Sequence, residues 1–226
     1  MVRPFTTVVL AMSVDGKIAD KLRSPARFGS PADKRHLEEQ VAKADAVLFG
    51  AGTLRAYGTT IRITSSDLLC QRQTLGKPPQ PVHIVCSPSG DLDSQLHFFQ
   101  QSVPRWLITT SAGAHLWQER EGFERLLIAD PASHELNWSQ LLETLFDANI
   151  QRLAILGGGE LVASLLAVDA IDELCLTICP LILGGRAAPT LVEGIGFTEA
   201  IAPHLELVQV RSLDQEVFLR YRVHRV

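Results

Sequence analysis

The chain has 226 residues, 46% of them hydrophobic, which is enough apolar material for one large core or two small ones. Its 21 Lys and Arg against 25 Asp and Glu leave a net charge of −4, with no block of like charge and no basic segment interleaved with aromatics, which argues against a nucleic-acid surface. No apolar run approaches the roughly 20 residues that span a bilayer, and the start of the chain enters a strand-like pattern without signal-peptide architecture, so a cytoplasmic protein with no membrane partner is expected.

Phe5 to Met12 is apolar and β-branched, as a buried strand is, and ends in Ser13-Val-Asp-Gly-Lys17, where Asp-Gly marks a turn that places Asp15 and Lys17 at a strand mouth. Ser30-Pro-Ala-Asp33 combines a capping residue, proline at the first helical position and an acid three residues on, which predicts a mostly solvated helix to about Ala44. His36 lies on that polar helix, where solvation is expected. Ala46-Val-Leu-Phe49 predicts a second buried strand running into Gly50-Ala-Gly-Thr-Leu-Arg55. Ile61 to Gln80 is polar and aperiodic and reads as a long surface loop with room for a helical turn. Val82–Cys86, Arg105–Thr109 and Leu126–Ala129 are short apolar runs ending in turn residues, as parallel strands are.

Asn137-Trp-Ser-Gln140 has capping-box spacing, and Trp138, Leu141, Leu142, Leu145 and Phe146 fall on one face of the helix it opens. Arg152 to Leu156 predicts a strand, followed by three glycines and a helix whose buried face is Leu161, Val162, Leu165 and Leu166. From Leu174 the period changes to two, and Leu205–Val210 with Val217–Val223 predicts a terminal hairpin. The economical reading is one α/β domain over residues 1–226, with a largely parallel sheet and an antiparallel edge. Of the four cysteines none forms a C-x-x-C pair and three lie in apolar runs, so they read as structural and no metal site is expected.

Gly50-Ala-Gly52 and Gly157-Gly-Gly159 each lie between a buried strand and a helix start. In an open parallel sheet such turns gather at the carboxyl edge, where glycine allows close approach and free helical N–H groups favour an anion such as pyrophosphate. The second turn is not G-x-G-x-x-G, because Val162 occupies the last glycine position, so a turn made only for packing fits the residues as well.

Taken in order, Met12-Ser-Val-Asp-Gly-Lys-Ile-Ala19, Ser30-Pro-Ala-Asp-Lys-Arg-His36, Ala44-Asp-Ala-Val-Leu-Phe-Gly-Ala-Gly-Thr-Leu-Arg-Ala56, Leu156-Gly-Gly-Gly-Glu-Leu161, and Ile171-Asp-Glu-Leu174 followed by Pro180-Leu-Ile-Leu-Gly-Gly185 resemble one family, over roughly Phe5 to Val223. It is the reductase domain of riboflavin biosynthesis, found fused to a deaminase in bacteria and alone elsewhere. The deaminase's zinc signature is absent, so a stand-alone reductase is expected. The resemblance implies a three-layer, dihydrofolate-reductase-like α/β fold, NADPH as donor, usually a homodimer, and hydride transfer to C1 of the ribose of a ribosylaminopyrimidinone 5′-phosphate.

Carried over by that resemblance, Gly157, Gly158, Gly159, Glu160 and Leu161 match the turn holding the cofactor phosphates. Gly52 and Thr53 match a second cofactor turn, and Ser87 and Thr110 occupy strand exits on the cofactor side. Ser13, Asp15 and Lys17 match the substrate-lining Ser-x-Asp-Gly-Lys segment, with Asp15 and Lys17 as the catalytic pair. Lys17 is suited to hold a carbonyl or phosphate, and Asp15 to accept N–H groups or relay a proton. Arg55 suits a phosphate, and Tyr57 suits stacking on the heterocycle. Two positions depart from the family: Tyr57 and Leu156 stand where it commonly has acids that lie toward the pyrimidine. Losing such acceptors weakens discrimination for a substrate with buried donors. A different imine or carbonyl substrate, or a nucleotide-binding module with little catalysis, therefore stays open beside the riboflavin-type reductase.

Overall fold

The structure, a computed structural model, describes residues 2–129 and 136–224. In chain order its elements are β1 (Phe5–Ser13), α1 (Pro31–Lys43), β2 (Ala46–Gly50), α2 (Ala51–Tyr57), α3 (Ser66–Thr74), β3 (Val82–Cys86), β4 (Arg105–Thr109), α4 (Ser111–His115), β5 (Arg125–Ile128), α5 (Trp138–Asp147), β6 (Arg152–Ile155), α6 (Gly159–Leu166), β7 (Glu173–Cys179), β8 (His204–Leu213) and β9 (Glu216–His224). They cluster in two compact units, Met1–Pro4 with Val41–Leu153, and Phe5–Gln40 with Ala154–Val226. Among the described residues no helix is long and apolar enough to cross a membrane.

In the first unit β2, β3, β4 and β5 pair in parallel, in register Gly50↔Cys86, Val85↔Leu107 and Thr109↔Ile128. Val47, Leu48, Ile84, Val85, Leu107 and Ile108 are fully buried, which is why these strands read as continuous apolar runs. Asn137 caps α5 by accepting from the Gln140 N–H at 3.2 Å. Trp138, Leu141, Leu142 and Leu145 are buried, while Phe146, expected on the same face, is half-buried.

The expected loop from Ile61 to Gln80 instead contains α3. Its buried residues are Leu68 and Arg72, and the Arg72 guanidinium donates to the carbonyls of Ala42 at 2.8 Å, Ala44 at 2.7 Å and Pro78 at 2.7 Å. A buried cation satisfied by backbone carbonyls leaves no trace in apolar periodicity, so α3 was not visible as an amphipathic helix.

In the second unit β1 pairs in parallel with β7, and β7, β9 and β8 run antiparallel, so the predicted terminal hairpin is present. A bulge interrupts β8 between Leu207 and Gln209. One face of this ribbon carries the pairs Leu205↔Val223, Leu207↔Tyr221 and Val210↔Leu219, with Leu207 53% and Val210 60% exposed. The opposite face carries Phe218 and Glu216, both buried.

The Ser30 hydroxyl caps α1, accepting from the Ala32 N–H at 3.0 Å and the Asp33 N–H at 3.2 Å. The helix is less solvated than its composition suggests: Glu38, Val41 and Ala42 are buried, and His36, expected in solvent, lies half-buried edge-on against Phe218 with ring centroids 5.2 Å apart. In α6 Leu161, Val162 and Leu165 are buried and Leu166 is half-buried. None of the four cysteines is in a disulfide, and the three in apolar runs, Cys86, Cys175 and Cys179, are buried.

Candidate active site

The end of β1 turns back on itself through Ser13–Lys17. The Ser13 hydroxyl donates to the Asp15 carboxylate at 2.6 Å and accepts from the Lys17 N–H at 2.9 Å, so it is committed within the turn. Asp15 also accepts the N–H groups of Leu183 at 3.1 Å and Gly184 at 2.7 Å. The Ser13 hydroxyl, then the Leu183 N–H, with a smaller share from Gly184, hold the exposed Asp15 carboxyl down at about 2, so it is an anion at neutral pH. Gly16 has φ of +79°, the left-handed conformation that the Asp-Gly turn requires. Lys17 is half-buried, and its ammonium donates to the Ala188 carbonyl at 3.0 Å. The segment after β7, from Leu181 to Thr190, thus wraps the Asp15–Lys17 turn along its length.

The glycine turn after β6 belongs to the same unit. Gly157 has φ of +109°, and Gly158 caps α6 without any side chain bonding to the first helical turn. Those first N–H groups are therefore available to an anion. Gly159 is needed for space: a Cβ there would stand 2.5 Å from the Thr190 carbonyl oxygen and 2.6 Å from the Glu193 side chain. Leu161 is buried and anchors the helix, whereas Glu160 is exposed in its first turn. Leu156, before the turn, is half-buried.

In the first unit the exits of three parallel strands carry the other predicted cofactor residues. Gly52 and Thr53 open α2 directly after β2, whose cap Gly50 makes no side-chain bond, and a Cβ on Gly52 would meet nothing within 4 Å. Ser87 follows β3, is buried, and donates its N–H to the Ile108 carbonyl at 2.9 Å. Thr110 follows β4 and caps α4, its hydroxyl donating to the Pro88 carbonyl at 2.8 Å and accepting from the Gly113 N–H at 3.4 Å. Its side chain is thus engaged in holding the turn. Arg55 is exposed and donates to the Asp91 carbonyl at 3.2 Å, and Tyr57, the last residue of α2, is 42% exposed.

Within the second unit the structure brings Ser13, Asp15 and Lys17 together with the Gly157–Gly159 turn by way of residues to which sequence reading gave no role. Thr190 is the antiparallel bridge partner of Lys17 and also abuts Gly159, and Glu193 accepts from Thr190. The spacing Thr-x-x-Glu, that of a capping box, was the available signal. Here it closes a turn outside any helix.

Residues 4–219 match the RibD C-terminal domain. The chain is 31% identical over 195 residues to the 2,5-diamino-6-ribosylamino-4(3H)-pyrimidinone 5′-phosphate reductase of Archaeoglobus fulgidus, a match covering 86% of this chain and 89% of that protein. Among solved structures it is similar to a pyrimidine reductase-like protein of Corynebacterium diphtheriae, with a TM-score of 0.83 at 22% identity over 99% of this chain and 93% of that one. It is also similar to a dihydrofolate reductase of Enterococcus faecalis, with a TM-score of 0.55 at 13% identity over 97% of this chain and 96% of that one. At those identities the structural likenesses speak for the fold alone, which is α/β and dihydrofolate-reductase-like, mostly parallel with antiparallel C-terminal strands. The chain belongs to the RibD C-terminal domain family.

Proposed function

We propose that this chain is an NADPH-dependent reductase of riboflavin biosynthesis, acting as a single domain in the cytoplasm on a (di)amino-ribosylaminopyrimidinone 5′-phosphate. One observation carries the reading: the first turn of α6, which no side chain caps, and the ammonium of Lys17 are held on one scaffold by the segment from Leu181 to Glu193, so a place for an anion and a fixed cation come as a unit. The relative in Archaeoglobus fulgidus, which bears the name of that activity, matches along most of its length.

In the second unit the residues fit a phosphate group: Gly157, Gly158, Gly159, Glu160 and Leu161 present backbone N–H groups that no side chain caps. In the first unit Gly52 and Thr53, which the family resemblance assigns to the cofactor, lie in the first turn of α2, with open space at Gly52. NADPH, when bound, would supply the hydride for C1 of the substrate's ribose. Ser87 and Thr110 shape the strand exits beside the second turn. Lys17, an ammonium with donors to spare beyond its bond to Ala188, takes the substrate carbonyl or phosphate and forms the catalytic pair with Asp15. Asp15, an anion at neutral pH, fixes Leu183 and Gly184 and faces the substrate as an acceptor. Ser13 holds the turn in register, while Arg55 and Tyr57 supply a phosphate contact and a stacking ring.

Two copies associate through the apolar face of β8 and β9, where Leu205, Leu207 and Val210 are exposed side by side.

The test is NADPH absorbance over time with purified protein and enzymatically generated ribosylaminopyrimidine 5′-phosphate, with NADH in parallel. Oxidation dependent on both protein and pyrimidine, and faster with NADPH, is expected. Binding of NADPH without its oxidation would replace this reading with a nucleotide-binding module. A second reading, an imine or carbonyl substrate of lower polarity, draws on Leu156 and Tyr57. It predicts that Tyr57→Asp with Leu156→Glu raises pyrimidine turnover, and no gain would remove it.

A further inference from the structure

The turn Thr190-Leu-Val-Glu193 is closed by one carboxylate. Glu193 accepts the Thr190 N–H, and its oxygen lies 2.7 Å from the Thr190 hydroxyl, whose other acceptor is the Val192 carbonyl at 2.9 Å. From this turn the chain reaches two ways. On one side Thr190 pairs with Lys17 as an antiparallel bridge, the Pro189 carbonyl takes the Ile18 N–H at 3.0 Å, and the Ala188 carbonyl takes the Lys17 ammonium at 3.0 Å. On the other the Glu193 N–H donates to the Gly159 carbonyl at 3.2 Å, and the Thr190 carbonyl and the Glu193 stem occupy the space where Gly159 would carry a Cβ.

The segment depends on such a closure because it has little core of its own. It lies in a stretch without regular structure, and its neighbours Ile182 and Ile195 are 77% and fully exposed. A loop held by hydrogen bonds more than by burial shifts when one bond set is removed, while the sheet beneath keeps its packing.

We propose that Glu193 is a positioning residue for the reduction: its closure of the Thr190–Glu193 turn fixes the distance between the Lys17 ammonium and the first turn of α6. The role rests on the reductase reading above. Hydride transfer tolerates misplacement poorly, with a shift of about 1 Å costing on the order of a hundredfold in rate. Lys17 and Arg23 add to the stabilisation of the Glu193 anion, after the two Thr190 donors. The turn and the cation it registers therefore support each other.

The test compares Glu193→Ala, Glu193→Gln and Glu193→Asp with the unaltered protein. Nucleotide affinity is read by fluorescence titration without substrate, kcat and KM for the pyrimidine by absorbance, and stability by thermal unfolding. Glu193→Ala is expected to weaken nucleotide binding by about tenfold and to lower kcat/KM by more, with the thermal midpoint nearly unchanged. Glu193→Gln keeps an oxygen able to accept from Thr190 and should stay within about threefold of the unaltered protein. Combining Glu193→Ala with Lys17→Met should cost less than the product of the single effects, because both act through one distance.

Unaltered nucleotide affinity and KM in stable Glu193→Ala would overturn the proposal, as would multiplicative behaviour of the double variant. Should Glu193→Ala fail to fold, Glu193→Asp, which keeps the charge but shortens the reach, decides the matter by the same nucleotide titration, where unchanged affinity counts against. If the unaltered protein binds NADPH but reduces no pyrimidine, the reductase reading falls by itself, and the positioning role falls with it.

Discussion

Glu216 and Ser30, 186 residues apart in the chain, are bonded twice: the Ser30 N–H donates to one carboxylate oxygen at 2.8 Å and its hydroxyl to the other at 2.6 Å. The same hydroxyl accepts from the Ala32 N–H, so the start of α1 is fastened to the first residue of β9 through a buried carboxylate. Glu216→Ala leaves the half-buried Ser30 N–H and hydroxyl without their acceptor, which costs about 1–3 kcal/mol. Urea denaturation at pH 7 should show that loss, with Glu216→Gln intermediate; an unchanged midpoint would contradict it.

A buried histidine and a half-buried carboxyl make stability depend on pH with opposite signs. His83, its Nδ1 2.9 Å from the Thr60 hydroxyl oxygen, is pushed down to about 3, first by burial and then by Arg105 and Arg72. Its folded pKa lies below the unfolded one of about 6.5, so its contribution is lost as pH falls from 6.5 towards 3. For Asp33 burial raises the pKa against a bond from Thr177, so stability falls as pH rises above the ordinary value of 3.8. His83→Phe should flatten the acid side of the stability profile, and Asp33→Asn should gain on the unaltered protein as pH climbs from 3 to 7. Denaturant midpoints across that range check both.

Gly159 and Gly52 separate packing from ligand contact. Alanine at 159 collides with the Thr190 carbonyl, so it should cost about 1–3 kcal/mol and weaken nucleotide binding. Alanine at 52 meets nothing within 4 Å, so folding should be unchanged while nucleotide affinity falls by about tenfold, or 1.4 kcal/mol. Undiminished affinity in Gly52→Ala would place the second turn outside the nucleotide site.

Arg72 satisfies three carbonyls, and Arg72→Met should destabilise the protein by about 3–5 kcal/mol, because those acceptors stay buried without a donor. Lysine, lacking the planar fork, should recover only part of this. Equal stability of Arg72→Met by urea unfolding would show that the carbonyls find other donors.

On the apolar face of the terminal ribbon, Leu207→Glu with Val210→Glu should leave a folded monomer where light scattering of the unaltered chain reads a dimer. A monomer before any substitution would remove the dimer.

Most strands were legible because parallel strands of a covered sheet are short and mostly apolar, as in Ala46–Phe49 and, interrupted by His83 alone, Val82–Cys86. The ends of β1, β2 and β6 were legible through glycine and Asp-Gly. What stayed hidden was polar. Arg72 made α3 look like loop, and Glu216 reads as an ordinary turn acid because its partner is distant in sequence. Glu193 carried a local signal, Thr-x-x-Glu, but that spacing is a helix-start pattern and here there is no helix. Burial of a charged side chain follows from its tertiary partners, which no local window contains.

The bulge in β8 has a bearing on how copies of the chain meet. An edge strand of ten residues with both faces open offers its free backbone groups to any extended segment, the first step of open-ended sheet growth. The extra residue at Leu207/Gln209 breaks the even spacing of those groups and coils the edge, so a second strand finds no straight ladder to join. For the dimer proposed above, that leaves the side chains of one face, where a two-fold arrangement would use the same patch on both copies and leave nothing exposed for a third.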